Sequence, residues 1–99
     1  MDKILELLNS QPPEPERVKV KALILNAKYH PLEKGVIVAV RLPNGRAISH
    51  PILVATFKEL VNAPPEVIDR EMERMAEGYR RHASLHHHID IVVDKNVLE

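Results

Sequence analysis

Residues 36–42 alternate without a break: Val36, Val38, Val40 and Leu42 fall on one parity, Ile37, Ala39 and Arg41 on the other. In a strand, side chains two apart share a face, so this stretch can lay one fully apolar face against a core. Asn44-Gly45 follows at once, a pair that accepts the positive φ of a tight hairpin turn, and residues 46–49 return antiparallel. No other feature constrains the fold as strongly. Residues 18–27 read as a partner strand. There Val18, Val20 and Ala22 alternate with Lys19 and Lys21 before the run Leu23-Ile24-Leu25, which suits a strand half-exposed at one end and buried on both faces at the other. Residues 87–93 supply a last strand.

Between the hairpin and the last strand the period changes. Pro51 suits the first position of a helix over 52–61, with Ser49 or His50 as its cap and Phe57 inside it. Asn62-Ala63-Pro64-Pro65 breaks that helix and opens another, in which Ile68, Met72, Met75, Ala76 and Tyr79 recur at helical spacing. Glu66 with Arg70 and Glu77 with Arg81 add four-apart pairs on its outer side, each worth a few tenths of a kcal/mol. At the N-terminus Asp2 caps a short helix with an Ile4, Leu5, Leu7, Leu8 stripe, followed by the stiff spacer Ser10-Gln11-Pro12-Pro13-Glu14-Pro15. Two turns of helix are not stable alone, so Ile4, Leu5 and Leu8 must dock on their own domain or on a second copy. The expected fold is α+β: a two-layer sandwich in the order α-β-β-β-α-α-β, with an antiparallel sheet of about four strands and helices on one face. Residues 1–16 form the helix and arm, and 17–99 a single domain.

Aromatic residues are only 3% of the 99, so the core is aliphatic. With no cysteine there is no disulfide, zinc-thiolate site or cysteine nucleophile. No apolar run reaches the ~18 residues of a membrane span, and the acids in residues 1–8 do not fit a signal peptide. The expectation is a soluble cytoplasmic protein without a membrane partner. A charged fraction of 28% with a single glutamine leans towards a heat-adapted source, against which stand five asparagines.

Four of the six histidines lie in His82-Ala83-Ser84-Leu85-His86-His87-His88. Imidazole titrates near neutrality and is the commonest metal ligand. In a strand, His86 and His88 would share a face about 6.6 Å apart, and Asp90 would lie about 13 Å along it, too far for one shared site. His82, His30 or His50 would have to complete a zinc or other divalent site; alternatively His82 and His86 stack one helical turn apart, or the cluster is simply solvated. No cofactor is otherwise implied. His30 and His50 each precede a proline, and they line one pocket if their loops meet at a sheet edge. Lys19, Lys21, Lys28, Arg41 and Arg46 are the candidate nucleic-acid contacts, although 14 basic residues are balanced by 14 acidic ones. Glycine-rich phosphate loops, nucleophile elbows and His-Glu-x-x-His helices are absent from the sequence. The leading expectation is therefore a non-enzymatic binding or assembly module that self-associates as a dimer or higher oligomer. Nucleic-acid binding is the alternative, and a histidine-cluster metal protein or enzyme the second.

Overall fold

The computed structural model describes residues 16–99, so the helix expected around Ile4, Leu5 and Leu8, and the proline-rich segment after it, lie outside the described residues. Four antiparallel strands, β1 (Arg17–His30), β2 (Gly35–Arg41), β3 (Ala47–Leu53) and β4 (His88–Asp94), form one sheet in the order β3-β2-β1-β4. Between β3 and β4 come a single-turn helix α1 (Lys58–Val61) and a 20-residue helix α2 (Pro65–Ser84). This is the expected α+β architecture with one main helix.

β1 is the spine. Its first half pairs with β4, from Arg17 opposite Asp94 to Leu23 opposite His88, and its second half pairs with β2, from Leu23 opposite Arg41 to His30 opposite Gly35. The pairing shifts between Ile24 and Asn26, so Leu25 is an extra, bulged residue. One extra residue changes the parity of the strand. Ala22 and Ile24 are buried before the bulge, and Ala27 and Tyr29 are buried on the same face after it.

That face joins Val36, Val38 and Val40 of β2 with Ile91 and Val93 of β4. Against it α2 lays the expected stripe: Met72 and Ala76 are fully buried, with Ile68, Met75 and Tyr79 packed around them. Burying Met72 contributes about 1.5–3 kcal/mol. Two polar clasps fix the helix. The Tyr29 hydroxyl donates to Asp69 Oδ1 at 2.6 Å near its start, and Arg80 Nη1 donates to the Ala27 carbonyl at 3.0 Å near its end.

Two local expectations are corrected. Pro51 does not open a helix; β3 continues through His50-Pro51 to Leu53, with Pro51 opposite Ile37. Proline is tolerated there because β3 is an edge strand and needs donors on one side only. The turn 42–46 has three residues in its loop rather than two. Gly45 N–H donates to Leu42 O at 2.9 Å, Leu42 N–H to Arg46 O at 2.8 Å, and φ is positive at Gly45 (91°) alone. Pro43 explains the difference: its fixed φ starts a type I turn, which a left-handed glycine then closes.

Candidate functional site

Among the described residues the helix layer covers only one side of the sheet, so the make-up of the other side follows from alternation. Opposite residues of paired strands share a face. The outer face therefore carries Arg17, Lys19, Lys21, Leu23, Lys28 and His30 from β1, Ile37, Ala39 and Arg41 from β2, and His88, Asp90, Val92 and Asp94 from β4. Four of the five basic residues singled out from the sequence meet there: Lys19, Lys21, Lys28 and Arg41. Arg17 joins them. It was missed because the strand was expected to begin one residue later, although Arg17, Lys19 and Lys21 already show the two-residue spacing.

Arg46 does not belong to this group. It leaves the hairpin on the side of Leu42 and reaches the Glu99 carbonyl at 3.4 Å, close to where Asn44 Nδ2 donates to Val97 O at 3.1 Å. The hairpin tip is thus tied to the C-terminal turn (Lys95–Leu98).

Around Leu23 the cations are densest. Lys21, Arg41 and His88 rim a shallow depression of about 500 Å³ floored by Leu23, with Leu42 and Pro43 at its side. Among the described strand residues, five Lys and Arg side chains on the outer face oppose two carboxylates, Asp90 and Asp94, while the whole chain has no net charge. The Arg17–Asp94 contact, at 3.8 Å between exposed side chains, is worth less than about 1 kcal/mol and leaves Arg17 free to exchange partners. No aromatic ring of Phe, Tyr or Trp stands on this face. Tyr29 points into the core, Tyr79 belongs to the α2 stripe, and Phe57 lies just before α1.

The histidines arrange themselves differently from either sequence expectation. His86 is in neither the helix nor the strand; it takes a left-handed φ of 58° in the turn after α2. His86 N–H donates to Ala83 O at 3.0 Å and His87 N–H to His82 O at 3.0 Å. These two bonds are the Schellman arrangement, which brings the side chains three before the cap and two after it into contact. Those side chains are His82 and His87. Their Nδ1 atoms lie 2.8 Å apart and their ring centroids 5.0 Å apart, both rings exposed. The expected trio His82, His86 and His88 is therefore not gathered. His88 is on the outer sheet face opposite Leu23, and among the described residues no three His, Cys, Asp or Glu groups come together as a metal cluster. His87 is the partner that the sequence reading missed. Its only signal is a spacing of five across a helix end.

His30 and His50 are likewise apart. His30 stands opposite Gly35 on the outer face, whereas His50 stands opposite Val38 on the inner face, with Ile48 and Ile52 on either side. β2 separates their strands.

A separate cavity of about 220 Å³ opens at the far end of β1, lined by Tyr29, Pro31, Lys34, Val61, Ile68 and Asp69 among others. There Tyr29 has its phenol pushed up to about 12, mainly by burial and then by the Asp69 carboxylate that accepts its hydrogen bond. Such a phenol holds its proton at neutral pH and serves as a donor rather than a base. None of the described helices is long and apolar enough to cross a membrane. Comparisons with protein-family models, curated proteins and solved structures return no match.

Proposed function

We propose that the protein is a non-enzymatic binding module that takes a nucleic-acid backbone across the open face of its sheet. The observation that carries this reading is the convergence of Arg17, Lys19, Lys21, Lys28 and Arg41 on the sheet face that no helix of the described residues covers. Lys19 and Lys21, two apart on β1, stand about 6.6 Å from each other along the strand, a separation that can follow successive phosphates. Lacking stacking aromatics, the face grips phosphates and not bases, so binding is indifferent to sequence.

With five cations engaged, the logarithm of the affinity for a single strand falls with the logarithm of salt at a slope of about −3.5, and less if Asp90 or Asp94 keeps a partner. Exchanging Lys19, Lys21, Lys28 and Arg41 together for Gln abolishes binding, whereas Arg46→Gln leaves it intact. A titration of a fluorescent oligonucleotide at several salt concentrations tests this. Absence of a salt-dependent complex with both single strand and duplex rejects the reading, as does an Arg46→Gln loss equal to that of the quadruple variant.

Self-association is a second reading, with its own observation. α2 packs on β1 and β2 and hardly reaches β3, so Ile48 and Ile52 remain only partly buried at an edge strand. An uncovered edge invites pairing with another chain. Leu53, Val61 and Leu32 are exposed nearby, Leu32 completely. Light scattering of the full chain, and of chains carrying Ile4, Leu5 and Leu8 as Ser or lacking residues 1–13, distinguishes the routes. A monomer at every concentration rejects self-association. A dimer that survives the N-terminal changes assigns it to the sheet.

A further inference from the structure

We propose that His82 and His87 form a two-nitrogen chelate for a late first-row divalent cation with tetragonal preference, copper(II) or nickel(II). The reading is independent of the basic sheet face. Both backbones are fixed before any metal arrives. His82 sits in the last turn of α2, its carbonyl accepts from Leu85 and His87, and the His87 carbonyl in turn accepts from Ile24 of β1 at 3.1 Å. A chelate built on such a frame loses little freedom on binding.

The separation lies nearer to what a tetragonal ion needs than to what tetrahedral zinc needs. With metal–nitrogen bonds of about 2.0 Å, two nitrogens 2.8 Å apart subtend roughly 90° at the ion, whereas a tetrahedral zinc site needs them about 3.3 Å apart. Cis angles near 90° suit tetragonal copper and nickel, and copper(II) also heads the affinity order for nitrogen donors. In the metal-free pair one Nδ1–H faces the other nitrogen's lone pair. Replacing that proton by the metal swings the rings so that their centroids close from 5.0 Å to about 4.5 Å, a small motion for exposed side chains. Water fills the remaining positions. Of the neighbouring cations, Arg80 is held by the Ala27 carbonyl, and Arg81 stands towards Glu77 at 3.9 Å, an exposed contact it exchanges freely with water.

The test is a titration of the untagged full chain with copper(II), followed by calorimetry and by electron paramagnetic resonance. The expected result is one ion per chain, with hyperfine coupling to two nitrogens. Affinity drops about a hundredfold in His82→Ala and in His87→Ala, because a chelate becomes a single ligand, and is unchanged in His86→Gly and His88→Ala. Zinc binds more weakly than copper or nickel. Should an alanine variant fail to fold, broadening of imidazole resonances in the wild-type chain decides: His82 and His87 must be affected at lower copper than the other four histidines. Binding that follows His86 and His88, coupling to a single nitrogen, or no saturable one-to-one binding overturns the proposal.

Discussion

Replacing Tyr29 by Phe isolates the clasp between β1 and the start of α2. The hydroxyl donates at 2.6 Å to Asp69 Oδ1, and Tyr29 is only 5% exposed. A hydrogen bond to a charged acceptor contributes about 1.5–3 kcal/mol, but Asp69 is exposed and regains water in the variant. At pH 8, Tyr29→Phe therefore costs about 1–2 kcal/mol. The pH dependence gives a sharper signature. The Tyr29 phenol is raised from 10.0 to about 12, with burial as the main cause and the Asp69 carboxylate next. Because the folded value exceeds the unfolded one, the stability linked to this proton is fully present below pH 10 and is lost as pH rises towards 12. One unit corresponds to about 1.4 kcal/mol. After screening by the solvent that reaches the adjoining cavity, about 1–2 kcal/mol disappears across that window. Urea denaturation of both chains at about pH 8 and pH 11 is the assay, with Asp69→Asn as a control that keeps the burial and removes the carboxylate. The stability gap between wild type and Tyr29→Phe narrows at the higher pH, and Asp69→Asn shows a weaker alkaline loss than wild type. An equal gap at both pH values, or a Phe variant as stable as wild type at pH 8, refutes the reasoning.

Gly35→Ala destabilises by about 1–3 kcal/mol in the same urea assay, since the new Cβ would stand 2.9 Å from the Ile52 carbonyl oxygen and force β3 away. His86→Gly stabilises by about 0.5–1 kcal/mol, because φ at His86 is 58° and glycine adopts it without strain; a loss of stability would show that the imidazole itself makes a contact worth more. Deleting Leu25 leaves a folded chain with unchanged far-ultraviolet circular dichroism, because Ile24 and Asn26 already keep opposite faces without it. Deleting Ala22 abolishes cooperative unfolding, because it moves Lys19 and Lys21 to the core side.

Long, regular alternation is legible in the sequence. Val36, Val38 and Val40, the Lys19/Lys21 face and the Met72/Ala76 stripe all stand where parity or helical spacing puts them. What escaped was decided by tertiary position. Pro51 suits a helix start and an edge strand equally well, and only the place of β3 at the sheet edge chooses between them. His86 carries no hint of left-handed backbone, since glycine or asparagine usually marks that position. The conformation follows from the need to turn α2 straight into β4. The His82–His87 pair depends on that turn, so it was invisible while the helix end was uncertain by a residue or two.

The basic face depends on a feature that spacing alone does not give. Read as an unbroken strand, β1 would carry Lys19, Lys21, Leu23, Leu25, Ala27 and Tyr29 on one side, and Lys28 would point under α2. Burial of a lysine without a partner is expensive, and Ala27 and Tyr29 would lose their core contacts. The extra residue at Leu25 reverses parity in mid-strand, so Ala27 and Tyr29 turn inward and Lys28 joins Lys19 and Lys21 outside. The bulge also sits where β4 has ended and β2 has begun to pair. A bulge increases local twist, which lets one strand serve two partners that meet it over different halves. The same bulge that lets β1 finish the core therefore keeps its cations on one surface. That coupling ties the proposed binding face to the stability of the fold: a substitution that irons out the bulge without removing a residue has to bury Lys28 or expose Tyr29.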